Sequence, residues 1–218
     1  MKSLNKKNLG IIIVVIVVLV AAVAASYFFI FNTGDTTELN AAFISGSFTG
    51  NVTENPINDS VPNHQYQASY TDKQNGISYN MSTLKNGTFL IDLMQLQGLP
   101  APEHRHLGDN DWNIYYSQAA PTAQIANNTT NATVMNVYIC EAEKDNQTFL
   151  IYVISNSSSV KCDGSLYCPL YQNYVEPLLK SATLKTNPSA PNGAQVLNMS
   201  DAQYNQLIQQ ISQAKGTN

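Results

Sequence analysis

An uncharged, almost wholly apolar run at residues 9–31, LGIIIVVIVVLVAAVAASYFFIF, constrains everything that follows it. As a helix it would span roughly 34 Å, enough to cross a hydrocarbon core of about 30 Å. Lys2, Lys6 and Lys7 precede the run, and no acidic residue occurs before Asp35. That bias predicts a cytoplasmic leader at 1–8, a single-pass signal-anchor at 9–31 in contact with membrane lipid, and an extracytoplasmic C-terminal domain. Cleavage as a signal peptide is the competing reading. Ala22-Val23-Ala24 offers a site, but cutting there would leave an apolar stub on the secreted product.

All 15 acidic residues follow the run, so the exported part is more acidic than the chain's formal charge of −4. Phosphate binding needs clustered Lys and Arg, which excludes nucleic acid as an expected partner. Asparagine falls repeatedly in N-x-S/T sequons: Asn51, Asn58, Asn80, Asn86, Asn127, Asn128, Asn131, Asn146, Asn156 and Asn198. Export would make these glycosylation acceptors wherever they are exposed, with Asn80 restricted to a solvated strand face. An Asn-, Ser- and Thr-rich chain also creates sequons by chance.

Cys140, Cys162 and Cys168 are the only cysteines. Cys162 and Cys168 close a short loop with Gly164 at its turn, and an oxidising compartment permits that disulfide. Cys140 pairing with either of the others is also open, although its strand-like surroundings suit a buried free thiol.

Polar composition at 32–63 predicts a stalk, with one Gly-rich edge strand at 43–52. From 64 to 186 the pattern turns to period two, with Tyr66, Ala68 and Tyr70, then Ile77, Tyr79 and Met81. Asn86-Gly87 reads as a hairpin turn into a strand at 89–96 buried on both faces. Residues 112–116 form a further strand, and 134–140 with 149–154 form a hairpin turned by Lys144-Asp145-Asn146. A helix is predicted at 169–184, kinked or divided at Pro177. Residues 187–218 form a linker and an amphipathic helix opened by the capping box Ser200-Asp201-Ala202-Gln203. The expected fold is α+β: the anchor, then an antiparallel sheet of about six strands covered by C-terminal helices.

Reactive side chains concentrate at 103–112. Glu103, His104, His106, Asp109 and Asp111 are the candidate metal ligands, since His104 and His106 at i, i+2 share a face of an extended segment. The competing reading is a solvated loop. Asp109-Asn110-Asp111 lacks the rest of a twelve-residue calcium loop. No nucleophile elbow, phosphate loop or dinucleotide fingerprint occurs, so no catalytic residue and no cofactor is expected. Asp92, between Ile91 and Leu93, must face solvent or find a buried partner. Tyr115, Tyr116, Tyr167, Tyr171 and Tyr174 either line a carbohydrate or peptide surface or pack the core.

Gly10, following the basic leader and opening an aliphatic stretch, gives residues 6–25 a layout that resembles type IV pilin-like precursors. The acidic residue usual near the start of such helices is missing from 11–16. The stretch from Tyr70 to Tyr79 (YTDKQNGISY), the later Trp112, the strong hairpin and the closing Leu178-Leu179-Lys180-Ser181-Ala182 together resemble the PsbP/Mog1-like class of extracytoplasmic domains. The usual Pro-x-x-Trp after Tyr79 is absent. The whole chain also looks like singly anchored, sequon-rich archaeal surface proteins. These resemblances imply an antiparallel sheet covered by helices and a binding or accessory role, and they carry over no functional residue. The expectation is a non-enzymatic, membrane-anchored binding or envelope-associated domain with an envelope protein or carbohydrate as partner. The alternatives are a metal- or solute-binding domain built on 103–111 and a pilin-like filament subunit.

Overall fold

The computed structural model describes residues 36–57, 67–119, 134–155 and 160–216. The apolar run at 9–31 lies outside the described residues, and among those residues no helix is long and apolar enough to cross a membrane. The chain divides into two units, Met1–Thr36 and Thr37–Asn218, and the second holds the elements below apart from the first residue of β1.

The strands are β1 (Thr36–Asn40), β2 (Ile44–Thr49), β3 (Thr53–Glu54), β4 (Ala68–Asp72), β5 (Ile77–Lys85), β6 (Glu103–Leu107), β7 (Asn110–Ala119), β8 (Met135–Lys144), β9 (Gln147–Ser155) and β10 (Thr183–Leu184). The helices are α1 (Thr88–Leu96), α2 (Glu176–Ser181), α3 (Gly193–Leu197) and α4 (Asp201–Gly216), with a π-helical turn at Tyr171–Val175 leading into α2. Seven strands form one antiparallel sheet in the order β3-β4-β5-β9-β8-β7-β6, and β1-β2-β10 form a second. The coarse expectation of an α+β domain with an antiparallel sheet therefore holds.

Period-two alternation sorts the large sheet's side chains between its faces. Tyr79, Met81, Trp112, Ile114, Tyr138, Cys140, Phe149, Ile151 and Val153 join Phe48, Tyr171, Leu178 and Leu179 in the main core. Leu84, Tyr115, Ile139, Leu150 and Tyr152 meet Ile91 of α1 and Val196 of α3 on the opposite face. Central β9 is thus anchored from both sides. Each large apolar side chain buried this way contributes about 1.5–3 kcal/mol, so a one-residue slip of β9 would misplace two cores together. Its hairpin with β8 turns at Asp145 and Asn146, both at positive φ (51° and 58°), as the two-residue connection requires.

The stalk expected at 32–63 is corrected from Thr36 onward. Residues 36–54 supply β1, β2 and β3, and Leu39, Phe43, Ile44, Phe48 and Val52 are buried in the main core. Polar residues between those anchors dilute the hydrophobic signal. β2 is the middle strand of its sheet, not an edge. The strand expected at 89–96 is helix α1. An unbroken apolar run does not distinguish a buried strand from a buried helix, and Leu, Met and Gln favour the helix here. Residues 187–216 likewise belong to the fold. Lys85 N–H donates to Pro191 O at 2.9 Å, and α3 completes the second core.

Pro177 sits where the π-helical turn gives way to α2, so the missing amide falls at a change of helical pitch. The Ser200 capping box forms as expected, with Ser200 N–H donating to Gln203 Oε1 at 3.0 Å. Tyr204 of α4 then stacks closely on Gly193, where an added Cβ would lie 2.4 Å from its ring.

Hairpin β6–β7 is fixed to the end of α2. Asn110 Nδ2–H donates to Ala182 O at 2.8 Å. Gly108, at φ +62°, lies where a Cβ would come within 2.5 Å of Lys180 O. Left-handed φ and a backbone clash act together, so Gly108→Ala is expected to lower stability by about 2–4 kcal/mol. Urea denaturation checks this as a lower midpoint at unchanged slope. An unchanged midpoint would show that the turn does not rest on the helix.

Candidate functional site

Helix α1 covers the second face of the sheet only as far as Tyr115, and polar residues take over beyond it. A cleft of about 720 Å³ opens there. α1 provides Thr88, Ile91, Asp92 and Gln95. The sheet provides His104, Asp111, Asn113, Tyr115, Glu141 and Glu143, and α4 reaches in with Lys215.

Glu141 is the chemical centre of this cleft. Strand alternation places it on the face shared with Ile139, and only 4% of its surface is exposed. Asn113 Nδ2–H donates to its Oε2 at 3.1 Å, and Tyr115 O–H donates to the same oxygen at 3.2 Å. Burial raises the Glu141 pKa above the usual carboxylate range, the two hydrogen bonds oppose that rise, and Glu143 and Asp92 add to it. Tyr115 is pushed up in turn, first by burial and then by the Glu141 charge, so it stays a donor.

The network continues outward. With its amide nitrogen committed to Glu141, Asn113 turns Oδ1 to His104 Nδ1 at 2.6 Å. His106 Nδ1 lies 2.7 Å from Asp111 Oδ1. Both partners are acceptors, so each histidine carries its proton on Nδ1. Asp92 has found a partner: Lys215 Nζ donates to its Oδ1 at 2.5 Å.

The five expected metal ligands do not converge. Alternation along β6 puts His104 and His106 on the cleft side and Glu103 on the other, where Glu103 accepts from Tyr167 O–H at 2.9 Å. Asp109 lies in the turn between β6 and β7, and Asp111 is spent on His106. Among the described residues, no group of three or more His, Cys, Asp and Glu is placed to hold a metal ion. Arg105 shares Glu103's side of β6, its Nη1–H donating to the Tyr167 hydroxyl oxygen at 3.0 Å.

The tyrosines do not form one surface. Tyr115 and Tyr116 point to opposite faces, Tyr171 is buried, and Tyr167 is exposed. Cys162 and Cys168 are bonded, with Cα atoms 5.1 Å apart, and Cys140 is a buried free thiol whose pKa is raised by burial. Asn51, Asn86, Asn146 and Asn198 are exposed, whereas Asn80 is half-buried and accepts from Ser69 O–H at 2.9 Å. Asn58, Asn127, Asn128, Asn131 and Asn156 lie outside the described residues.

Sequence reasoning missed Glu141, Asn113 and Lys215. Glu141 had a signal: a carboxylate between Cys140 and Ala142, in register with Ile139, belongs to a buried face. Neighbouring Glu143 and Lys144 masked it as a polar strand end.

No family model matches the chain, and no curated protein matches it. Among solved structures, a crystal structure from Bacteroides thetaiotaomicron VPI-5482 is similar at 10% identity, with a TM-score of 0.44. The likeness covers 71% of this chain and 49% of that one, so the chain spans about half that protein's length. At that score it carries no weight for fold or function.

A raised carboxyl pKa means that folding takes up a proton between the ordinary carboxylate value and the raised one. Glu141's contribution to stability therefore falls as pH climbs through that window. Glu141→Gln keeps the shape and an acceptor while removing the charge. It is expected to stabilise the fold at neutral pH by an amount of order 1 kcal/mol and to flatten the decline with pH. Urea midpoints measured from pH 4 to 8 check this. A lower midpoint for the variant across that range would make the carboxylate a structural asset.

Proposed function

We propose that this chain is a membrane-tethered, extracytoplasmic and non-enzymatic binding domain whose cleft between α1 and β6–β8 takes a small organic cation, an amine above all. The apolar run at 9–31 with its basic flank supports the tether. The Cys162–Cys168 bridge and the exposed sequons at Asn51, Asn86, Asn146 and Asn198 support the location, since disulfides persist in oxidising compartments.

One observation carries the ligand class. Glu141 is a buried carboxylate presented to an open cleft, held by donors that fix its charge in place. A charge in that position destabilises the fold unless something else engages it. Lys215 already sets one ammonium on the neighbouring Asp92, an internal precedent for the chemistry. Tyr115 donates to Glu141, which fits holding a charge better than activating a nucleophile.

Two measurements test the proposal. The full chain is expected to stay with membranes through an alkaline carbonate wash, and its release would remove the tether. Putrescine and a set of primary amines, titrated onto the full chain in detergent, are expected to bind at least tenfold more weakly to Glu141→Gln. Equal binding to both proteins, or no binding by any amine tested, would overturn the cleft's assignment.

A further inference from the structure

We infer that His104 and His106 form a chelating pair for a borderline divalent metal ion, Cu²⁺ most strongly, bound through their two Nε2 atoms at the rim of the cleft. The two residues sit at i, i+2 on β6, on one side of the strand, with Cα atoms about 7 Å apart. Both side chains are exposed, so their outer edges face solvent.

The tautomers select the metal-binding atom. Asn113 Oδ1 and the Asp111 carboxylate are acceptors and hold the proton of each ring at Nδ1. With Nδ1 holding the hydrogen bond to β7, Nε2 is the ring atom of each histidine left to bind a metal ion. Metal-ligating histidines characteristically donate their other ring N–H to a carboxylate or carbonyl oxygen, which fixes the ring and raises its basicity. Here both rings already have that support. His104's support is itself held in place, because Glu141 fixes the Asn113 amide that orients it.

Two imidazoles match the chemistry of Cu²⁺, Ni²⁺ and Zn²⁺, with Cu²⁺ bound most tightly in the usual order, and do not match hard calcium or magnesium. Two ligands from the chain leave the remaining coordination positions to solvent or to a further ligand. Glu103 and Asp109 take no part. The pair does not depend on the cleft holding an amine: loss of amine binding in Glu141→Gln would leave the metal site standing.

Isothermal titration of CuCl₂ into the full chain in detergent tests the pair. Wild type is expected to bind one ion, with affinity reduced at least tenfold in His104→Gln and again in His106→Gln, and unchanged in His64→Gln. Both rim side chains are exposed, so these variants are expected to keep the wild-type unfolding midpoint. Long-range ¹H–¹⁵N spectra of the metal-free protein are expected to show the Nδ1–H tautomer for both residues. Undiminished affinity in either rim variant, loss of affinity in His64→Gln, or an Nε2–H tautomer at either position would overturn the site.

Discussion

Strand β9 is buried on both faces, whereas β6, at the edge of the sheet, buries Leu107 alone among its five residues, and that gradient across the sheet decides where chemistry can occur. Phe149, Ile151 and Val153 fill one core while Leu150 and Tyr152 fill the other, so the centre has no room for a ligand. Toward β6 the helices of the second face end and the side chains become polar. Glu141 and Asn113 sit on that boundary. They are deep enough for hydrogen bonds to be strengthened by partial dehydration, and close enough to the opening to meet a ligand.

That boundary also explains what the sequence made legible. Alternation at 77–81 and 112–116, and the apolar hairpin runs at 134–140 and 149–154, mark strands that bury at least one face, and Ser200 with Gln203 marks the start of α4. β1 and β3 leave little trace, because β1 is anchored by Leu39 alone and β3 holds no apolar residue, whereas β2 falls inside the strand expected at 43–52. Helix α1 was hidden by its own hydrophobicity, since Phe89 to Met94 fits a two-faced strand as well as a buried helix. The cleft could not be read at all. Asp92 and Lys215 meet across 123 positions of sequence, and only the packing of α4 on α1 brings them together. The polar cluster at 103–111 was visible, but the pleat divides it, sending His104 and His106 one way and Glu103 and Arg105 the other.

Asparagine carries a second meaning that sequons conceal. Asn86, Asn146 and Asn198 adopt φ values of 52°, 58° and 51°, the left-handed region that asparagine tolerates better than most residues. Turn geometry alone accounts for asparagine at those positions. Exposed turns are also where a glycan can be added without disturbing a core, so both readings select the same sites for separate reasons.

Helix α4 is the least anchored wall of the cleft. Ile211 is its buried residue, Tyr204 rests on Gly193 and meets Phe89 edge-on at 5.2 Å, and Lys215 reaches Asp92. The Lys215 side chain is 48% exposed and that of Asp92 is 27%, and an ion pair of that kind is worth about 0–1 kcal/mol. On the proposed reading, a cation entering the cleft would compete with Lys215 for Asp92 at little energetic cost, while no lysine among the described residues pairs with Glu141. Local opening of a weakly packed terminal helix needs far less energy than global unfolding. The element that pairs Asp92 is thus also a weakly packed one, and if the cleft takes a cation as proposed, its binding is coupled to the docking of α4.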